Sequence, residues 1–126
     1  MTAGLFLLLV FAGGVGACVR YVVDGLVRSR TGSSGFPWPT AVINVTGSFL
    51  LGLLTGLVVD RLASSDVSAV VGTGFLGGYT TFSTASYETV QLVRSDHAGT
   101  AVAYALGVLV VTVAVAFLGY RLGASY

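Results

Sequence analysis

Residues 72–84 read Gly72-Thr73-Gly74-Phe75-Leu76-Gly77-Gly78-Tyr79-Thr80-Thr81-Phe82-Ser83-Thr84. They sit inside an apolar stretch long enough to cross a bilayer, yet they make a poor helix. Adjacent glycines are followed by β-branched and hydroxyl-bearing residues, all weak helix formers. A break near the bilayer midplane is the expected result. In lipid a break leaves backbone carbonyls and amides that need partners. Free carbonyls can coordinate a cation, and free amides and hydroxyls can donate to an anion. Discontinuous helices of this kind mark ion and substrate sites in transporters. The plainer reading, a glycine kink that only shapes packing, sits poorly with the density of Thr and Ser hydroxyls.

Outward from this stretch the chain is apolar almost throughout. A spanning helix needs ~20 mostly apolar residues, and residues 4–26, 39–59, 67–93 and 99–120 each qualify. Of the 126 residues, 55% are hydrophobic and 9% charged. A soluble domain carries about a quarter charged residues, so lipid must be the main solvent here. The expected fold is an all-α integral membrane protein, one domain over residues 1–126, with four transmembrane helices and a broken third. The apolar start lacks the charged n-region and cleavage signature of a secretory signal. It reads as the first span of a multi-pass protein of the cytoplasmic (cell) membrane.

Several function classes fall away. A net charge of +1 gives no basic field for nucleic acid. The single Cys18 excludes an internal disulfide and a Cys-based metal site, and reads as a small packing residue. His97 lies between Asp96 and Ala98 in an expected loop. No nucleophile–base set is visible, so the chain does not read as an enzyme.

The loops hold nearly all the charge. Trp38 suits the headgroup belt and Pro39 the first turn of the second span. Ser65 or Asp66 can cap the third. All six basic residues are Arg. Arg61 and Arg121 fall on the side of the termini; Arg28, Arg30 and Arg94, with Arg20 nearby, fall on the other. Arg asymmetry sets orientation, and here it is weak. The chain is therefore expected to insert both ways and pair with its own inverted copy. Gly13, Gly16-Ala17, Gly52 and Gly56 supply small faces for close helix approach.

Polar groups at membrane depth are costly and therefore informative. On the second span Thr40, Asn44, Ser48 and Thr55 fall within roughly 80° of one another at 100° per residue. Asn44 is the strongest member: it either bonds across a helix pair or donates into a pore. On the fourth span Tyr104 and Thr112 share a face, with Val108 between them. Arg20 is four residues from Asp24. It reads either as a local ion pair or as a positive vestibule that attracts anions. Glu88, two turns beyond Phe82, could cap a pore mouth or pair with an Arg.

Three segments then match one known family. Gly13-Gly14-Val15-Gly16-Ala17-Cys18-Val19-Arg20-Tyr21, Asn44-Val45-Thr46-Gly47-Ser48-Phe49-Leu50-Leu51-Gly52 and residues 74–84 resemble, in order, the motifs of the CrcB, or Fluc, fluoride channels of microorganisms. The resemblance covers three consecutive spans of a chain of the right length. It implies an antiparallel, dual-topology homodimer in membrane lipid with two separate pores. It also implies passive export of fluoride, which enters cells as the weak acid and leaves as the anion. A structural sodium ion on the twofold axis would be held by backbone carbonyls matching Gly77 and Thr80. The pores would be lined by Asn44, by a phenylalanine pair, and by hydroxyls matching Ser83, Thr84 and those of the fourth span. Phe82, Tyr104, Thr112 and Thr40 complete the expected lining, with Arg20 at the vestibule. One departure stands out: the second phenylalanine of the pair is Ala85 here, and a hydroxyl expected near 108 is Val108. Some relatives are heterodimers of two paralogous chains, each partly degenerate, and this chain could be one such subunit. The remaining rival is a small multidrug-type cation exporter, also a four-span antiparallel dimer. It needs a carboxylate at mid-depth, which the first, second and fourth spans lack.

Overall fold

The computed structural model describes residues 1–32 and 35–125; Ser33, Ser34 and Tyr126 lie outside the described residues. Helix α1 runs Ala3–Thr31, capped by the Thr2 hydroxyl, which accepts from Leu5 N–H. At 1.5 Å per residue it is roughly 44 Å long, against a hydrocarbon core of about 30 Å. It therefore carries its last turns beyond the expected span. Charge holds that extension: Arg28 pairs with Asp24 at 2.8 Å, one turn apart. Gly32, at φ +61°, ends the helix where an L-residue with a Cβ would be strained.

Helix α2 runs Trp38–Val59 with Pro39 in its first turn, as expected from a ring that needs no helical N–H partner. The cap of the next segment is Ser64 rather than Ser65 or Asp66, its hydroxyl accepting from Val67 N–H. Asp66 instead occupies the first turn, where a negative charge suits the helix dipole. This segment is helix α3, Ser65–Val67, which widens into a π-helix over Ser68–Leu76 and closes with α4, Gly77–Tyr79. The chain then leaves helical geometry at Thr80, with ψ at 162°. It resumes as α5, Ser83–Arg94, and ends with α6, Ala98–Gly123. Helices α1, α2 and α6 are each long and apolar enough to cross a membrane. The third apolar stretch, residues 67–93, is the interrupted one.

The break falls at residues 80–82, not at the glycine pair. Gly77 and Gly78 stay helical, and at Gly78 and Gly74 the missing side chain serves packing. A Cβ on Gly78 would meet the Gly13 carbonyl, and one on Gly74 would lie 2.7 Å from the Leu9 carbonyl. Gly16 similarly faces the Phe75 carbonyl, so α1 lies directly on the π segment and α4. A second close pair joins α2 and α6, where Gly52 and Gly56 face Ala116 and Tyr120 while Gly119 and Gly123 face Phe49 and Leu53. Small residues let backbones approach in this way where no water drives association. Between the two pairs Ile43, Leu76 and Tyr79 form the buried centre. Outward, Phe6, Leu7, Phe11, Val110, Val113 and Phe117 are all more than half exposed. An exterior so apolar is a lipid-facing one.

Candidate functional site

A cavity of about 520 Å³ opens beside the break. Helix α2 contributes Asn44 and Ser48, four residues apart and so on one face. The break contributes Thr80, Thr81 and Phe82. From α5 come Ala85, Ser86 and Thr89, and from α6 Tyr104, Val108 and Thr112, again at four-residue spacing. No ionisable carboxylate or Arg lines it; among the described residues its polar groups are amide, hydroxyl and phenol.

Asn44 is the hinge of this arrangement. Its Oδ1 accepts from Thr81 N–H at 2.9 Å and its Nδ2 donates to the Thr81 carbonyl at 2.7 Å. The amide thus supplies both partners that the interrupted helix withholds from Thr81. Nδ2 carries a second N–H, and the residue lines the cavity. The same diversion frees carbonyls. In an unbroken helix Thr81 N–H would bond to Gly77 O and Thr84 N–H to Thr80 O. Here Thr81 N–H goes to Asn44 and Thr84 N–H to Thr81 Oγ1 at 3.1 Å. The carbonyls of Gly77 and Thr80 therefore lose their helical donors. Hard cations take oxygen ligands of this kind, so the donor set at Gly77 and Thr80 fits a cation such as sodium.

The remaining expected residues are distributed unevenly. Phe82 is 87% exposed within a single chain, with its ring at the cavity. The Tyr104 ring lines the cavity, but its hydroxyl donates to Glu88 Oε1 at 3.2 Å, so Glu88 finds a phenol rather than an Arg. Thr112 donates to its own helix at Leu109 O, 3.0 Å away. Thr40, 2% exposed, lies behind Tyr104 in the wall of a second, smaller cavity of about 240 Å³. That cavity also holds Thr84 and Arg20. Among the described residues Arg20 has no carboxylate partner, because Asp24 turns to Arg28. Ser83 is exposed, with Oγ 3.4 Å from Thr81 Oγ1. Thr55 points away from both cavities and donates to Leu51 O at 2.8 Å.

Sequence reasoning passed over Thr81, Ser86 and Thr89. Ser86 and Thr89 donate to Phe82 O at 3.0 Å and Ala85 O at 2.8 Å, leaving lone pairs at the cavity. Their i, i+4, i+7 spacing from Phe82 was the available signal.

The comparisons with known proteins agree in direction. A family model described as "CrcB-like protein, Camphor Resistance (CrcB)" matches residues 7–120. The "Fluoride-specific ion channel FluC 1" of Leifsonia xyli subsp. xyli is 46% identical over 123 residues, covering 98% of this chain and 89% of the relative. The "Fluoride-specific ion channel FluC" of Thermus thermophilus is 42% identical over 120 residues, covering 95% of each chain. A "Fluoride-specific ion channel FluC 2" of Bacillus licheniformis is 47% identical over 116 residues, covering 90% and 83%.

Proposed function

The chain belongs to the CrcB family, and from that premise we propose that it is a subunit of a fluoride-specific channel that lets cytoplasmic fluoride leave down its own gradient. It is a multi-pass membrane protein, and a channel rather than an enzyme. The observation that carries the reading is the uncharged cavity at a helix break, lined by amide and hydroxyl groups and by the Phe82 ring. Fluoride is small and holds water tightly. A path for it must replace that shell with close donors, yet release the ion easily. The spare Asn44 N–H and the electropositive edge of Phe82 offer such donors without a fixed charge, and the hydroxyls of Ser86, Thr89 and Thr112, which donate to their own helices at rest, would have to rotate their O–H toward the path to add to them. Arg20 lines the adjoining cavity, where its charge would concentrate anions ahead of the uncharged one.

One chain leaves Phe82 almost wholly exposed, which favours a partner across that face. We take the assembly to be four spans per chain and two chains in opposite orientation, the broken stretch serving as the third span. The unpaired carbonyls of Gly77 and Thr80, one set from each chain, would hold a structural sodium ion. Its charge would offset the carbonyl dipoles and keep the break open. A second reading follows from Ala85 in the cavity wall: this chain pairs with a paralogue that supplies an aromatic there. A cation exporter is less favoured, because Glu88, outside the larger cavity, already accepts from Tyr104.

Cells stripped of their own fluoride exporters test the role. Expression of this chain alone should restore growth in millimolar-scale fluoride and lower the retained anion. Rescue only with a co-expressed paralogue would select the heterodimer, and no rescue by either would overturn the export reading.

A further inference from the structure

Thr81 is the one described residue that lines both cavities, the larger beside Phe82 and the smaller beside Arg20. It is 9% exposed, and each of its polar groups is engaged. Its backbone N–H and carbonyl are both bound to the Asn44 amide. Its hydroxyl accepts from Thr84 N–H at 3.1 Å and donates to Thr84 Oγ1 at 3.0 Å. The backbone of Thr81 is therefore tied to α2 and its side chain to the first turn of α5. Phe82, the residue flanking that turn, offers no side-chain cap of its own, so Thr81 takes over the cap from one position earlier.

We propose that Thr81 is a positioning residue of the permeation path, its hydroxyl setting how α5 leaves the break. In doing so it fixes where Phe82 and Thr84 stand in the two cavities. The inference rests on the fluoride reading for what permeates, but its mechanical part does not. Two bonds to Asn44 fix the Thr81 backbone. Without the hydroxyl, α5 would be free to swing about that fixed point. Phe82 would then lose its register with the Asn44 amide, both being in the wall of the larger cavity. Thr84 would lose its place beside Arg20 in the smaller one. Because Thr81 lines both cavities, an anion that crossed from one to the other would pass its side chain, and a loosened α5 would degrade discrimination as well as rate.

The test compares Thr81→Ser, which keeps the hydroxyl, with Thr81→Val, which keeps the shape and loses it. In the full-length protein in detergent, amide hydrogen exchange over residues 83–90 should quicken by roughly tenfold in Thr81→Val, the scale of a lost cap. Thr81→Ser should exchange as the wild type does. In liposomes Thr81→Val should lose fluoride-over-chloride preference while Thr81→Ser retains it. Wild-type exchange and wild-type preference in Thr81→Val would overturn the proposal. So would equal damage in Thr81→Ser. If Thr81→Val and Thr81→Ala both fail to assemble while Thr81→Ser succeeds, the hydroxyl serves folding alone and the proposal fails. Wild-type vesicles without fluoride efflux would sink the fluoride reading, and exchange would still decide Thr81.

Discussion

Asn44 shows how one side chain does two jobs. It closes hydrogen bonds that the break leaves open, and it turns a spare N–H toward the cavity. Asn44→Ala leaves both Thr81 backbone groups unpaired, at about 1–3 kcal/mol for each buried group. Fluoride efflux should fall by roughly tenfold or more. Thr55→Ala, on the same face but away from both cavities, should leave efflux unchanged. Equal losses in the two variants would show that the whole stripe serves folding. Ala85 belongs at this scale too. It lines the larger cavity on the same helix that begins beside Phe82, and it leaves room there for water. Ala85→Phe should raise the preference for fluoride over chloride, read as the ratio of their efflux rates. A ratio no higher than that of the wild type would remove Ala85 as a source of weakened selectivity. Asn44 was legible in the sequence because a lone amide at membrane depth needs a reason. Thr81 was not, since a Thr satisfied on its own helix looks the same in sequence as one that caps across a break.

Poor helix propensity correctly foretold a break in residues 72–84 but misplaced it. Gly74 and Gly78 pack where carbonyls of α1 approach too closely for any Cβ, and the helix runs through them. That tertiary demand overrides local propensity, and the break shifts to where Asn44 can reach the backbone. The widening of residues 68–76 into a π-helix had no signal in local propensity. The extension of α1 to Thr31 was missed because span length was counted by apolarity, and Arg28, which ties back to Asp24, and Arg30 lie beyond the apolar part. The freed carbonyls of Gly77 and Thr80 carry a prediction at this scale. Preparing protein and vesicles with N-methylglucamine in place of sodium should depress fluoride efflux, and restored sodium should recover it. Activity indifferent to the exchange would deny the ion a functional role.

For the whole molecule the question is how the chain is completed. A single copy presents Phe82 at 87% exposure and an almost wholly apolar exterior, and the Arg residues barely distinguish one side from the other. Both features favour pairing with an inverted copy. In a Cys18→Ala background, single cysteines placed at Ser64 and at Ser95 occupy opposite ends of the broken stretch. Each should be labelled by an impermeant reagent from both sides of the membrane. Labelling of each site from one side only, the two sides being opposite, would rule out dual topology. The central claim is narrower: this chain alone forms a path that accepts fluoride and disfavours chloride. Anion release from liposomes holding only this chain, with potassium permeability supplied by an ionophore, measures that directly. The account predicts fluoride release well above that of protein-free vesicles and faster than chloride release. Fluoride retained as in protein-free vesicles, or chloride released equally fast, would contradict it.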